Sequence, residues 1–293
     1  MVGWRNPRSR ERLISRTARV VNRLLFYFFL GIFIFFCLAP FYWLFVTSLK
    51  SNSTLFVNPP LLFPNPIYTR NYVTAFEGRP FARNIFNSFV VAGLSTAFNL
   101  AVGSLCAYAL ARLRFKGKQI ILTIVLAVSM FPGIAVVAPL YLWLSNLHLI
   151  NTQPALILPY VTFSLPLCIW ILTAFFQELP AELEEAAKVD GATPMQAFLR
   201  IIVPLAAPGV FTCAILVFIY AWNEFLFART FMSRETSYTV TVALQMFQGM
   251  GEELLPWGQI TAASVIVTLP LVILVLVFQQ RIISGLTAGA VKG

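Results

Sequence analysis

Five apolar runs separated by polar stretches dominate the pattern of the chain. Most are close to the roughly 20 to 25 residues that an α-helix needs to cross a bilayer. Residues 119–177 contain no charged side chain and are about twice that length, so they must hold two spans joined by a hairpin, which we place at Ser145–Pro154. The predicted spans are Leu24–Leu49, Ile85–Ala111, Ile120–Leu144, Ala155–Phe176, Ile202–Ala228 and Ile260–Phe278.

Prolines lie inside several of these predicted spans. Pro132 and Pro139 fall in the third, and Pro159 and Pro166 in the fourth. A proline removes a main-chain donor and clashes with the preceding turn, and a membrane bundle tolerates this where neighbours satisfy the freed carbonyls. We therefore expect kinked or locally broken helices at these positions.

The composition agrees with an integral membrane protein and excludes several other classes. Apolar residues make up 59% of the chain and charged residues 11%, and the mean hydropathy is +0.80. The cysteines lie inside apolar runs, and His148 has no carboxylate or cysteine neighbour in its hairpin, so neither a disulfide framework nor a metal site is predicted. The four cysteines are Cys37, Cys106, Cys168 and Cys213.

The positive charges predict the orientation of the chain and exclude nucleic acid as a partner. The net charge is +10, but the basic residues flank apolar runs, as orientation signals do. With both termini in the cytosol, 15 lysines and arginines lie on the cytosolic side and 6 on the outer side. Seven of the 15 precede the first span: Arg5, Arg8, Arg10, Arg12, Arg16, Arg19 and Arg23.

This topology divides the chain into four parts. Residues 1–23 form a cytosolic basic segment, which can also contact anionic lipid, and residues 24–84 form the first span and a proline-rich outer loop with a short helix near Asn71–Phe76. Residues 85–283 form a core with five spans, and residues 284–293 form a cytosolic tail. A contact of the outer loop with an external partner is a second interpretation beside that of a linker.

Residues 178–204 are the one polar segment built like a docking surface, and the topology places them on the cytosolic side. Leu183, Ala186, Ala187 and Asp190 follow helical spacing, so they form a narrow stripe of small side chains that ends in a carboxylate.

Gly191 is placed to end this first helix of the segment. A second helix is predicted to begin with Thr193 as N-cap and Pro194 at the first helical position. This second helix would carry one apolar face, formed by Met195, Phe198, Leu199 and Ile202. The alternative is an amphipathic loop that lies on lipid headgroups.

Glu224 is the one acid embedded in an apolar run. Counted from Ile202 it lies about 33 Å along the fifth span, which is near the outer interface and far from the midplane. Tyr220 and Trp222 suit an aromatic belt, so one interpretation is an interfacial anchor with a hydrated carboxylate. The other is that Trp222, Asn223 and Glu224 line the substrate pathway or its outer gate.

The segment Glu185-Ala186-Ala187, followed by Gly191 and later by Ile201-x-Val203-Pro204, resembles the EAA signature of ABC importer permeases. Valine stands at position 203, where leucine is usual. Further stretches resemble the maltose-type, shorter six-span subunit of the carbohydrate importers. They are Asn71-Tyr72, Asn87-Ser88, Trp222-Asn223-Glu224-Phe225, Ala262-Ala263-Ser264 and residues 285–293.

The resemblance implies a type I permease fold with a cytosolic coupling helix between spans 4 and 5, and residues that contact an ATPase. The residues implied to dock on the ATPase are Glu185, Ala186, Ala187, Asp190, Gly191 and Ala192. The tail residues implied to contact the ATPase are Gly289, Lys292 and Gly293. The implied partners are a second homologous permease, an ATPase dimer, an extracytoplasmic sugar-binding protein and membrane lipid. No phosphate-binding loop occurs in the chain, so ATP and Mg²⁺ would be bound by the ATPase, and the chain itself is expected to be no enzyme.

The function implied is ATP-driven import of a neutral mono- or oligosaccharide across a bacterial or archaeal cytoplasmic (inner) membrane. An importer of a polyol or glycerol-phosphate ester is the alternative within this class, although no basic cluster lies in the spans to neutralise a phosphate. An ion-coupled secondary transporter would need charged residues near the midplane, and a membrane enzyme would need a catalytic cluster; the sequence indicates neither.

Overall fold

The computed structural model describes residues 7–247 and 255–288, with side chains for residues 21–247 and 255–279, and the described part consists of helices, turns and loops without a strand. The first seven helices are α1 (Pro7–Ser48), α2 (Asn52–Leu55), α3 (Arg70–Thr74), α4 (Phe81–Arg112), α5 (Lys118–Ser129), α6 (Gly133–Asn146) and α7 (Pro154–Glu178). The others are α8 (Glu182–Val189), α9 (Pro194–Ala197), α10 (Val203–Leu205), α11 (Ala207–Asn223), α12 (Leu226–Phe231), α13 (Val240–Met246) and α14 (Trp257–Ala288).

Among the described residues, four helices are long and apolar enough to cross a membrane by themselves. They are the Val21–Ser48 part of α1, α4, α7 and the Trp257–Gln279 part of α14. Two bent pairs of helices, α5 with α6 and Pro194–Leu205 with α11, meet the same criterion of length and composition, and counting each pair as one span gives the predicted six. The all-α, six-span prediction is therefore confirmed.

The third span is broken rather than continuous. Its halves α5 and α6 meet at an angle of 87°, with Pro132 in the break. Neither half reaches the roughly 20 residues of a full span. The expected break at Pro132 is confirmed, whereas Pro139, Pro159 and Pro166 lie inside continuous helices.

The fifth span is bent near its start, where we predicted a continuous helix from Ile202 to Ala228. The chain bends by 79° between the segment Pro194–Leu205 and α11, so α11 starts at Ala207 instead of Ile202. Pro204 and Pro208 flank this bend, and each lacks the N–H that would extend the preceding helix. The bend also shortens the distance to Glu224 along the span to about 26 Å, which still lies beyond the midplane.

α4 and α7 run parallel and form the centre of the bundle. The amide of Asn99 donates to the hydroxyl of Ser164 at 2.9 Å inside this contact. A Cβ on Gly103 would lie 2.7 Å from the sulfur of Cys168, so glycine permits the close approach of the two helices. Small residues and interhelical hydrogen bonds hold helices together where lipid removes the hydrophobic driving force.

The remaining spans pack around this pair. α11 lies against both α4 and α7, and α14 packs against α11 and α1. The Val21–Ser48 part of α1 keeps most of its apolar side chains exposed, in contrast to α7. The bundle has two ends: we call the one that holds Arg112, Glu178 and α8 the docking end, and the opposite one the far end.

Candidate functional site

The polar segment at the docking end forms a helix that stops at a glycine corner, as predicted. Gly191 has a φ of +81°, the left-handed conformation that glycine adopts without strain. A Cβ there would meet nothing within 4 Å, so the position needs glycine for its backbone angle and not for space. The N–H of Gly191 donates to the carbonyl of Lys188 at 3.0 Å, and the N–H of Ala192 to that of Ala187 at 2.9 Å. These bonds fix the corner by satisfying the last carbonyls of α8.

The start of the second helix is also confirmed. The hydroxyl of Thr193 accepts from the N–H of Gln196, and the side chain of Gln196 accepts from the N–H of Thr193. Pro194 occupies the first helical turn. This capping box fixes the direction in which the chain leaves the glycine corner.

The apolar face that we predicted for this second helix is wrong in part. Phe198 and Ile202 are buried, but Met195 and Leu199 are more than half exposed. Phe198 and Ile202 are the first and last residues of a π-helical turn, which departs from the α-helical spacing that the prediction assumed. Phe198 packs on Tyr108 of α4, with ring centroids 4.9 Å apart.

The predicted stripe on α8 is also split between two directions. Ala187 is buried at 4% exposure and packs into the bundle. Glu185, Ala186 and Asp190 are exposed, and Ala192, beyond the helix, is half-buried. Sequence reasoning missed Val189, which is 87% exposed at the tip of the helix. The outward surface thus combines two carboxylates with an apolar side chain.

Glu184 points the opposite way from Glu185 and binds to the end of α4. Its Oε1 lies 3.0 Å from Nε of Arg112, and the two side chains are only 12% and 11% exposed. Tyr108 donates its hydroxyl to Oε2 of Glu184 at 3.3 Å. Arg112 also donates to the carbonyl of Leu179, which follows α7, at 2.6 Å. We call Tyr108, Arg112 and Glu184 the α4–α8 clamp.

Sequence reasoning missed this clamp because it treated Arg112 only as a topology signal. Within the described side chains, Arg112 and Glu184 form the one ion pair. The available signal was weak: an arginine at the end of a span and several acids on one short helix can pair in many ways. Which acid turns inward depends on how α8 packs, and that is a tertiary property.

Glu224 lies at the junction of α11 and α12 and acts there as a cap. Its carboxylate accepts from the hydroxyl of Tyr160 at 2.6 Å and from the N–H groups of Phe227 at 3.0 Å and Ala228 at 3.2 Å. These two N–H groups belong to the first turn of α12, which has no intrahelical acceptor for them. The half-buried carboxylate is therefore bonded to protein groups, unlike the fully hydrated anchor that we considered.

The two neighbours of Glu224 have different environments. Trp222 is 1% exposed and packs between Phe89 and Phe218, with ring centroids at 4.7 and 5.7 Å. The prediction that Trp222 belongs to an aromatic belt is therefore wrong, because its ring fills the core between α4 and α11. Asn223 is exposed and donates its amide to the carbonyl of Ile219 at 2.9 Å.

The far end carries a loop that α4 holds in place. Asn84 and Asn87 each donate to the carbonyl of Tyr238, at 3.1 and 3.0 Å, and the hydroxyl of Ser88 accepts from the N–H of Val240 at 2.8 Å. These contacts attach residues 235–240 firmly to α4.

A second attachment of this loop comes from Asn151, whose side chain accepts from the N–H groups of Ser233 and Arg234 at 2.7 and 3.0 Å. A polar cavity of about 110 Å³ lies nearby and is lined in part by Arg83 and Gln153. The far end is thus a fixed platform of loops and helix ends.

Arg79 lies at the edge of this platform. Its guanidinium sits 4.4 Å from the ring centroid of Phe247. Burial lowers the pKa of Arg79, and the nearby carboxylate of Glu235 acts in the opposite direction.

Two further predictions concern the tail and a metal site. The tail residues Gly289, Lys292 and Gly293 lie outside the described residues, so their proposed contact stays a prediction. Among the described residues, no group of three or more His, Cys, Asp and Glu side chains is placed to hold a metal.

Comparison with known proteins identifies the family. The family described as binding-protein-dependent transport system inner membrane component matches residues 99–287. The chain is 45% identical to the trehalose transport system permease protein SugB of Mycobacterium tuberculosis, over 88% of this chain and 93% of that protein. It is 42% identical to the trehalose/maltose transport system permease protein MalG of Thermococcus litoralis, over 97% and 99% of the two chains.

The fold also has a counterpart among solved structures. A chain of the crystal structure of a bacterial ABC transporter involved in the import of the acidic polysaccharide alginate superposes with a TM-score of 0.76, at 22% identity and over 95% of this chain and 99% of that chain. The type I permease fold is thereby confirmed, and so is the family predicted from the motif residues. The chain belongs to the binding-protein-dependent transport system inner membrane components, the permeases of ABC importers.

Proposed function

We propose that the chain is a permease subunit for ATP-driven import of a neutral mono- or oligosaccharide. The support is the high identity, over nearly the whole length, to permeases named for trehalose and maltose transport. No phosphate-binding loop occurs in the sequence, so a separate ATPase binds and hydrolyses Mg²⁺-ATP. Closure of that ATPase moves the docking segment, and the spans follow to expose the pathway alternately to the two faces.

In this proposal α8 is the helix that enters the ATPase. The observation that carries it is the outward surface of α8, where Glu185, Val189 and Asp190 are exposed beside the fixed corner at Gly191. Three acids lie in the first turn of α8 and Lys188 in the last, an arrangement that the helix dipole favours. Such a helix holds its shape while it moves as a unit. Its carboxylates suit basic or hydroxyl groups on the ATPase, and Val189 suits an apolar pocket.

The other partners are assigned to the remaining surfaces. The exposed apolar side of α1 contacts lipid or a second, homologous permease. The far-end platform receives an extracytoplasmic sugar-binding protein, and a related fold occurs in an alginate transporter described in complex with its pentasaccharide-bound periplasmic protein. In this orientation α8, residues 1–23 and the tail face the cytosol of a bacterial or archaeal cell, across its cytoplasmic membrane.

The docking proposal is tested by the double variant Glu185→Lys with Gly191→Asp. We expect it to insert in the membrane at normal amounts but to lose co-purification of the ATPase and ATP-driven uptake. Glu178→Lys is the matched control, since Glu178 is an exposed acid at the end of α7, before α8 begins. Normal uptake by the double variant would refute the role of α8.

The substrate class is tested by the ATPase rate of the reconstituted complex. Trehalose or maltose, delivered by the binding protein, should raise the rate, while glycerol 3-phosphate and a polyol should not. Stimulation by glycerol 3-phosphate or the polyol alone would replace the neutral sugar with that alternative. Uptake that survives ATP depletion and stops with an uncoupler would contradict ATP-driven import itself.

A further inference from the structure

Two adjacent acids on α8 face opposite ways. Glu185 is exposed and belongs to the surface proposed for the ATPase, whereas Glu184 is 12% exposed and bound to α4. Successive residues of an α-helix lie about 100° apart, so neighbouring side chains can serve two different surfaces. α8 therefore has an outward contact and an inward contact at the same level of the helix.

The inward contact depends strongly on the ion pair. Of the eight residues of α8, Ala187 is the one that is fully buried, and it offers a single methyl group. The Nε of Arg112 lies 3.0 Å from Glu184, and the same guanidinium holds the carbonyl of Leu179 at 2.6 Å. Since both charged side chains are largely shielded from water, salt screens their attraction less than it would screen a surface pair.

α4 is suited to carry a movement of α8 through the bundle. It has 32 residues, which corresponds to about 48 Å, and it packs along α7 and α11. At the far end, Asn84 and Asn87 attach it to the loop of residues 235–240. Arg112 lies at one end of this helix and the loop contacts at the other.

We propose that the α4–α8 clamp, Tyr108, Arg112 and Glu184, is the link through which movement of α8 is transmitted to α4 and so to the far end. Its members are positioning residues that touch neither substrate nor nucleotide. The inference rests on the proposed function, because it assumes that an ATPase moves α8. It assigns transmission to Glu184 and attachment to the ATPase to Glu185.

The test measures the far end directly and needs no transported sugar. In a variant whose four cysteines are replaced by alanine, Arg83→Cys introduces a thiol on the exposed side of α4 beside the far-end cavity. The labelling rate of this thiol by a water-soluble maleimide is compared in the complex before and after Mg²⁺-ATP and orthovanadate are added, which trap the ATPase with Mg²⁺-ADP and vanadate. We expect a change of about fivefold or more with the intact clamp.

Glu184→Gln and Arg112→Gln should reduce that change to less than about twofold while the ATPase still co-purifies. The double variant Arg112→Glu with Glu184→Arg exchanges the two charges and should restore the change in labelling rate. Such a rescue would show that the ion pair itself matters, because a purely local structural role predicts no rescue of the far-end response. Glu178→Gln and Arg114→Gln are the matched controls, since both side chains are exposed close to the clamp. Both control variants should show the same change in labelling rate as the protein with the intact clamp.

Two results would overturn the proposal. A full response of the far end in Glu184→Gln would show that movement reaches α4 by another route. Loss of the co-purified ATPase in the clamp variants would show that the clamp serves attachment and not transmission. If the ATPase fails to bind even with an intact clamp, the proposed function fails, and that outcome is separate from both.

Discussion

Replacing Glu224 tests whether its carboxylate stabilises the junction of α11 and α12. Three hydrogen bonds end on it, from Tyr160, Phe227 and Ala228. In Glu224→Gln one oxygen becomes an amide that cannot accept, and it must face an N–H or the tyrosine hydroxyl. Hydrogen bonds to charged groups contribute about 1.5 to 3 kcal/mol each, so the loss of one or two should lower the free energy of unfolding by about 1.5 to 6 kcal/mol.

The measurement is thermal unfolding of the purified protein in lipid nanodiscs, followed by tryptophan fluorescence. The loss corresponds to a fall in the unfolding temperature of about 2 to 10 °C, because an unfolding entropy of about 2.1 cal/mol/K per residue gives a chain of 293 residues a shift of about 1.6 °C per kcal/mol. Tyr160→Phe removes one hydrogen bond and should cause a smaller fall, because the two N–H caps of α12 remain. Glu77→Gln, at an exposed acid beyond α3, is the matched control and should leave the temperature unchanged.

One result would refute the capping role. If Glu224→Gln unfolds within about one degree of the unaltered protein while uptake is lost, the carboxylate acts in the substrate pathway and the stability argument is wrong. A fall in temperature with normal uptake would instead limit Glu224 to the junction. This one variant thus separates a capping role of Glu224 from a role in the substrate pathway or its outer gate.

Two other variants test close packing and loop attachment. In Gly209→Ala the new Cβ would lie 2.5 Å from Cδ2 of Phe175, so the ring must move, and we expect a loss of about 1 to 3 kcal/mol in thermal unfolding. Gly93→Ala is the matched control inside α4: a Cβ there meets nothing within 4 Å, so the change should not lower stability and should raise it by up to about 1 kcal/mol through helix propensity. Asn151→Ala removes the acceptor for the N–H of Ser233 at 2.7 Å and should cost about 2 kcal/mol, seen as faster hydrogen exchange in residues 232–238. Asn151→Asp keeps the acceptor and should exchange slowly; equal exchange in both variants would contradict the attachment.

The sequence by itself determined the features that depend on local patterns. Hydrophobic length gave the number of spans, since an α-helix satisfies its own main chain in lipid. The corner at Gly191 and the cap at Thr193 and Pro194 were also predictable, because backbone angle and capping depend on a few consecutive residues. The family motif led to the proposal that the outward face of α8 docks on an ATPase.

Tertiary structure alone decided how these parts meet. Apolar composition does not reveal the direction in which a helix runs. The 87° angle at the break near Pro132 and the 79° bend before Ala207 could therefore be known only from the packed bundle. Trp222 fits a membrane interface by residue type, but its burial depends on rings from other parts of the bundle. The pairing of Arg112 with Glu184 joins residues distant in sequence, and only the packing of α8 against α4 selects that acid over its neighbour.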